Sequence, residues 1–230
     1  MALVKFGGGI IQASGSIAGV THARNRFGNY IRPRTKPVNP RSDLQTVIRS
    51  AMSLFAERWS STLTADQRTE WNTYASAVAV KNRLGESVYL TGFNHYVRYN
   101  IPVAQAGGAK QDEGPETLAL AEKDAKFAIS ASEATQEITF TIDETLPWRD
   151  VDGSTIILYQ GKPQLATRNF FAGPWKYCSY LQKGDPSGTA KGAKFALVEG
   201  QKIWCYGRIC YGPTDPRLSE PFTAACVVGA

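Results

Sequence analysis

The hydrophobic period of this chain changes once, from helical to alternating, and that change divides what its 230 residues can become. In "DLQTVIRSAMSLFAERW", Leu44, Val47, Ile48, Ala51, Phe55 and Trp59 share one face, which predicts a helix over about 42–60. Ser42 is its expected N-cap, and Asp43 complements the positive end of the dipole. In "LTADQRTEWNTYASAV", Thr64 and Gln67 spell a capping box for a second helix that presents Trp71, Tyr74, Ala75 and Val78. Two short β-rich runs around 82–86 then predict a hairpin turning at Gly85. Thr91 should cap a short aromatic helix that stops before Pro102.

Beyond a stretch rich in Gly, Ala and charge at 105–126, which reads as a linker, the period is two. In "EITFTID", Ile138, Phe140 and Ile142 face one way and Thr139 and Thr141 the other. "STIILYQ", "RNFFAG", "PWKYCSYLQ", "KFALVEGQKIWCYGRICYG" and "EPFTAACVVGA" read as further strands between turns. The expected fold is α+β: an extended basic arm at 1–41, a small helical segment with a β-hairpin at 42–104, the linker, and a β-sandwich of immunoglobulin or fibronectin type at 127–230.

Charge is as unevenly distributed as periodicity. Residues 1–42 carry seven of the 26 Lys and Arg and none of the 20 Asp and Glu, so the remaining 188 residues hold 19 cations against 20 anions. The whole excess of +6 therefore originates in the N-terminal arm. Glycines interrupt its apolar pairs, Pro33, Pro37 and Pro40 impose extended geometry, and no sustained strand or helix period is visible. A merely solvating tail would omit the apolar side chains that recur here. Ile10, Ile11, Ile17, Val20, Tyr30 and Ile31, with Arg24, Arg26, Arg32, Arg34 and Lys36, form the candidate interface, expected to order on an acidic partner surface.

No catalytic constellation is legible. His22 lies in the arm and His95 in the aromatic helix, neither beside a partner for acid–base work. "KFGGGII" lacks the Gly-Lys-Ser/Thr ending of a phosphate loop, and Asp150 and Asp152 in "RDVDGST" read as a turn rather than a calcium loop. Cys178, Cys205, Cys210 and Cys226 are expected to be free thiols, with Cys205 and Cys210 on opposite faces of a strand because their spacing is odd. The C-terminal Trp and Tyr residues suit a core better than a sugar platform. No cofactor, metal or membrane span is expected, and the chain reads as soluble and without a signal peptide.

The run "SGSIAGVTHARNRFGNYIRPRTKPVNP" and its continuation carry a resemblance. They combine an S-G-x-x-x-G start, a Y-I-R-x-R-x-K-P-V-N-P arm, an L-T-x-x-Q-R-x-x-W-x-x-Y-A helix and an N-R-L-G-x-x-x-x-L-T-G hairpin across about residues 14–100. This pattern resembles a recurrent family of virion structural proteins from tailed bacteriophages and prophages. The resemblance implies a non-enzymatic part of a virus particle, assembled in the host cytoplasm and present in several copies. Its expected partners are the major capsid protein or other virion subunits. A minor or cement (decoration) protein held to the capsid lattice by the arm is the leading expectation. A head-to-tail or tail component, or a DNA-binding virion protein, is the alternative.

Overall fold

The capping box written in residues 64–67 forms as its spacing predicts: the Gln67 N–H donates to Thr64 Oγ1 at 3.2 Å, and the Thr64 N–H donates to Gln67 Oε1 at 3.0 Å. In the computed structural model, which describes residues 2–82 and 84–230, three helices follow: α1 (Asp43–Glu57), α2 (Ala65–Ala77) and α3 (Gly92–Gln105). A π-helical turn at Arg58–Thr62 closes α1. Ser42 stands at the N-cap position, but its side chain makes no capping bond. Asn39 secures this end instead, accepting from the Arg41 N–H at 3.3 Å and the Arg49 guanidinium at 2.8 Å. Nor does α3 stop before Pro102, because Ile101 and Val103 pack against the aromatic cluster and hold the last turn helical.

The N-terminal region departs furthest from the sequence expectation. In place of a wholly extended arm, β1 (Ala2–Val4), β2 (Gly15–Ile17), β3 (Val20–Asn25) and β4 (Gly28–Pro33) form an antiparallel sheet in the order β1-β4-β3-β2. The turn between β2 and β3 is Ala18–Gly19, both at positive φ (44° and 81°), the geometry of a two-residue hairpin loop. The loop at 5–14 and the link at 34–42 lack regular structure. The expected hairpin at Gly85 is present as β5 (Ala79–Lys81) and β6 (Ser87–Tyr89).

Eight strands follow: β7 (Ala128–Ser132), β8 (Glu137–Thr141), β9 (Thr155–Gly161), β10 (Gln164–Leu165), β11 (Trp175–Gln182), β12 (Thr189–Gly192), β13 (Gln201–Cys210) and β14 (Phe222–Val227). One sheet runs β10-β13-β9-β11 with β14 also paired to β13, and another runs β12-β8-β7. A bridge between Ser132 and Gly229 links them, giving a curled antiparallel sheet in a mixed α+β fold. Two predicted strands are corrected. "RNFFAG" is irregular because Phe171 turns in to lie on Trp204, and 194–200 is a loop pinned where Gln160 Oε1 accepts from the Lys194 N–H at 2.6 Å.

Both faces of the central strands are covered. Ile156 and Leu158 of β9, with Ile203, Cys205 and Ile209 of β13, join Phe127, Ile138, Phe140 and Trp148 inside the curl. Ile157 and Cys210 face the other way, against Phe55, Trp71, Tyr96 and Tyr99 of the helices. Cys205 and Cys210 thus lie on opposite faces, as their odd spacing requires. All four cysteines are free, and burial pushes the Cys210 thiol up to about 12. The expected linker is not a loose tether. Asp112 accepts from Arg58 and, at 3.1 Å, from the Tyr96 hydroxyl, while Gln111 and Asn100 exchange hydrogen bonds of 2.8 and 2.9 Å.

Candidate functional site

A sheet is stabilised when one face is buried, and this N-terminal sheet buries neither within the chain. No described side chain from Leu3 to Leu54 is fully buried. Its register sorts the candidate residues. Ile17 lies across from Val20, His22 across from Ile31, and Arg24 across from Asn29, so these six share a face with Val4. Tyr30 pairs with Ala23 and Leu3 on the other face, beside Arg32 and Thr21. A hydrogen bond of 2.9 Å between Ser16 Oγ and Thr21 Oγ1 lies on that second face, consistent with this parity.

The structure therefore brings Ile17, Val20 and Ile31 together as an aliphatic patch and sets Tyr30 and Arg32 behind it. Ile10 and Ile11 lie outside, in the loop between β1 and β2, where Ile11 is 90% exposed. Arg34 and Lys36 are exposed on the link, and Arg24 reaches Gln12 Oε1 at 3.4 Å. Arg26 is directed inward along the chain, donating to the Tyr89 carbonyl at 3.2 Å. Val4 and His22 are additions that sequence reasoning missed; only the pairing of β1 with β4 and of β3 with β4 places them. His22 Nδ1 and Asn29 Oδ1 on the patch are shielded from water and have no hydrogen-bond partner among the described residues.

Attachment to the rest of the chain is slight and polar. Asn82 Nδ2 donates to the Phe27 carbonyl at 3.2 Å, and the Lys5 ammonium is 2.5 Å from Glu86. That ammonium, aided by the Asn82 amide, holds the Glu86 carboxyl below the usual range. Of the seven cations in residues 1–42, Lys5 alone has an ion-pair partner among the described residues. The sheet thus presents an aliphatic face with Arg24 beside it and Arg34 and Lys36 on the link that follows, an arrangement suited to an acidic surface with apolar recesses.

His95, the other histidine, is packed among aromatic side chains. It lies edge-on to Tyr74 at 5.0 Å, and burial, with the Arg98 charge, pushes its pKa down from 6.5 to about 4. The unfolded chain takes up this proton near 6.5 and the folded chain only near 4, so stability is complete above the first value and falls towards the second. The fall amounts to about 3 kcal/mol. His95→Leu should therefore lose about 2 kcal/mol less than wild type between pH 7.5 and 4.5 in urea titrations. Equal losses would remove His95 as the cause. Among the described residues, no cluster of three His, Cys, Asp or Glu is arranged to hold a metal, and no helix is long and apolar enough to cross a membrane. Comparison with protein-family models, curated proteins and solved structures finds no match.

Proposed function

We propose that this chain is a structural protein of a tailed-phage particle, a minor or cement component whose N-terminal sheet and link dock on neighbouring capsid subunits. The observation that supports this most is a four-stranded sheet with no fully buried side chain among the described residues and an aliphatic face formed by Val4, Ile17, Val20 and Ile31. Such a face gains stability by covering. Burying a Val or Ile side chain contributes roughly 1.5–3 kcal/mol, and the surplus over the cost of association appears as affinity. Arg24 on this face and Arg34 and Lys36 on the link that follows β4 have no ion-pair partner among the described residues and favour an acidic subunit. In this reading the curled sheet is a sandwich-like module of immunoglobulin or fibronectin type that projects from the lattice, and the role is structural rather than catalytic. The family resemblance of residues 14–100 points the same way.

Removing residues 1–40 should leave a soluble protein whose remainder melts as in the full chain, since none of the described side chains in that stretch is fully buried. That protein should no longer join particles. Full-length Ile17→Asp/Ile31→Asp should fail likewise. Incorporation of both at normal copy number would reject the docking role. A head-to-tail or tail position would appear as ordered density there in electron cryomicroscopy of the particles. A DNA-binding role is favoured instead if the pure chain binds duplex DNA at about 50 mM salt and loses it steeply as salt rises.

A further inference from the structure

The first helix has an apolar face that this chain leaves largely uncovered. Along α1, Phe55 is buried, whereas Val47 is 55% and Ile48 39% exposed. These two form one wall of a groove of about 550 Å³, opposite Tyr159, Trp175 and Tyr177 on the outer face of the sheet, with Ile101 and Ala104 of α3 between them. Its floor is fixed by aromatic packing. Tyr159 stacks on Tyr206 at 4.6 Å, Trp175 meets Tyr206 edge-on at 5.0 Å, and Tyr177 meets Tyr159 edge-on at 6.0 Å. Such rigid, half-exposed aromatic rings lose little entropy on contact, which is why they serve as anchors at interfaces.

The charge of the groove selects among occupants. Its charged lining residues are Lys176 and Lys194, both exposed and without an ion pair among the described residues; no Asp or Glu lines it. The sevenfold-positive N-terminal region of a second copy has the wrong sign to enter. A sugar would match the aromatic floor and the two lysines but would leave the aliphatic wall of Val47, Ile48 and Ile101 unused. An acidic peptide with large apolar anchors matches all three.

We propose that this groove is a second docking site, which takes an acidic segment of a partner protein, with its apolar side chains between α1 and the aromatic floor and its carboxylates on Lys176 and Lys194. The site shares no residue with the N-terminal sheet and stands whether or not that sheet binds a capsid. Panning the full-length chain against a random dodecapeptide display library tests it. Selected peptides should concentrate Asp and Glu around two or more Trp, Phe or Leu. In anisotropy titrations, Ile48→Asp and Lys176→Glu/Lys194→Glu should each weaken the synthesised peptides at least tenfold. These side chains are half-exposed or exposed, so circular dichroism and melting should match wild type.

Several results would overturn the proposal: no enriched peptide, peptides without the acidic pattern, or binding unchanged in both folded variants. Binding of sialyllactose or heparin oligosaccharides that the same variants abolish, without peptide binding, would make it a carbohydrate site. A dimer in sedimentation that Ile48→Asp dissociates would assign the groove to a second copy.

Discussion

Trp71→Ala should lower the free energy of unfolding by about 3–5 kcal/mol, the cost of deleting a buried indole. Trp71 is 1% exposed and sits at the centre of the helical aromatic cluster, edge-on to Tyr96 at 5.7 Å and Tyr74 at 6.4 Å. Its Nε1–H donates to the Asp112 carbonyl at 3.0 Å, so truncation opens a cavity and also orphans an acceptor on the strap at 106–126. A loss of this size is a large part of the roughly 5–15 kcal/mol that holds an ordinary domain folded. Urea titration should show a lower midpoint with an unchanged slope. A loss below about 1 kcal/mol would mean that the cluster is not packed as described.

A comparable loss should follow from adding one methyl group at Gly212. A Cβ there would lie 1.8 Å from the Asp152 carbonyl oxygen, well inside any tolerable contact. Retreat is blocked because the Gly212 N–H donates to the buried Ser154 hydroxyl at 2.8 Å, and the carbonyl just before it accepts from Tyr99 at 2.6 Å. Gly212→Ala should therefore cost about 3 kcal/mol, the upper part of the overpacking range. In a chain of this size that is roughly 6–12 °C in melting temperature. Gly184→Ala, with nothing within 4 Å of its added carbon, is the control and should stay within about 0.5 kcal/mol. Equal melting of the two variants would contradict the contact at Gly212.

The contrast between the helices and the N-terminal sheet shows what a sequence displays. Thr64 and Gln67 lie three residues apart and settle their capping box locally, as Thr91 settles the start of α3 by accepting from the Asn94 N–H at 3.2 Å. The sheet at 2–33 depends on pairing Ala2–Val4 with residues 29–31, and its strands of three to six residues have no face that is fully buried among the described residues, so no alternation marks them. Of the candidate site, the aliphatic members Ile17, Val20 and Ile31 meet on one face. Ile10 and Ile11 do not, because a loop between strands carries them. The covering of β9 on both faces had a signal: "IILY" is a continuous hydrophobic run rather than an alternating one, the mark of a strand buried on both sides. The groove beside α1 had a weaker one, since Val47 and Ile48 look like core until the sheet opposite is placed.

The bond from the Tyr99 hydroxyl to the Tyr211 carbonyl spans 112 residues. Contacts this distant in sequence close late, because loop entropy opposes them until most of the chain is in place. At a synthesis rate of 5–20 residues per second, the ribosome takes on the order of 10 s to travel from one partner to the other. Throughout that interval the nascent helices carry Trp71, Tyr96 and Tyr99 with no sheet beneath them, and that aromatic surface is where a chaperone would hold the unfinished protein.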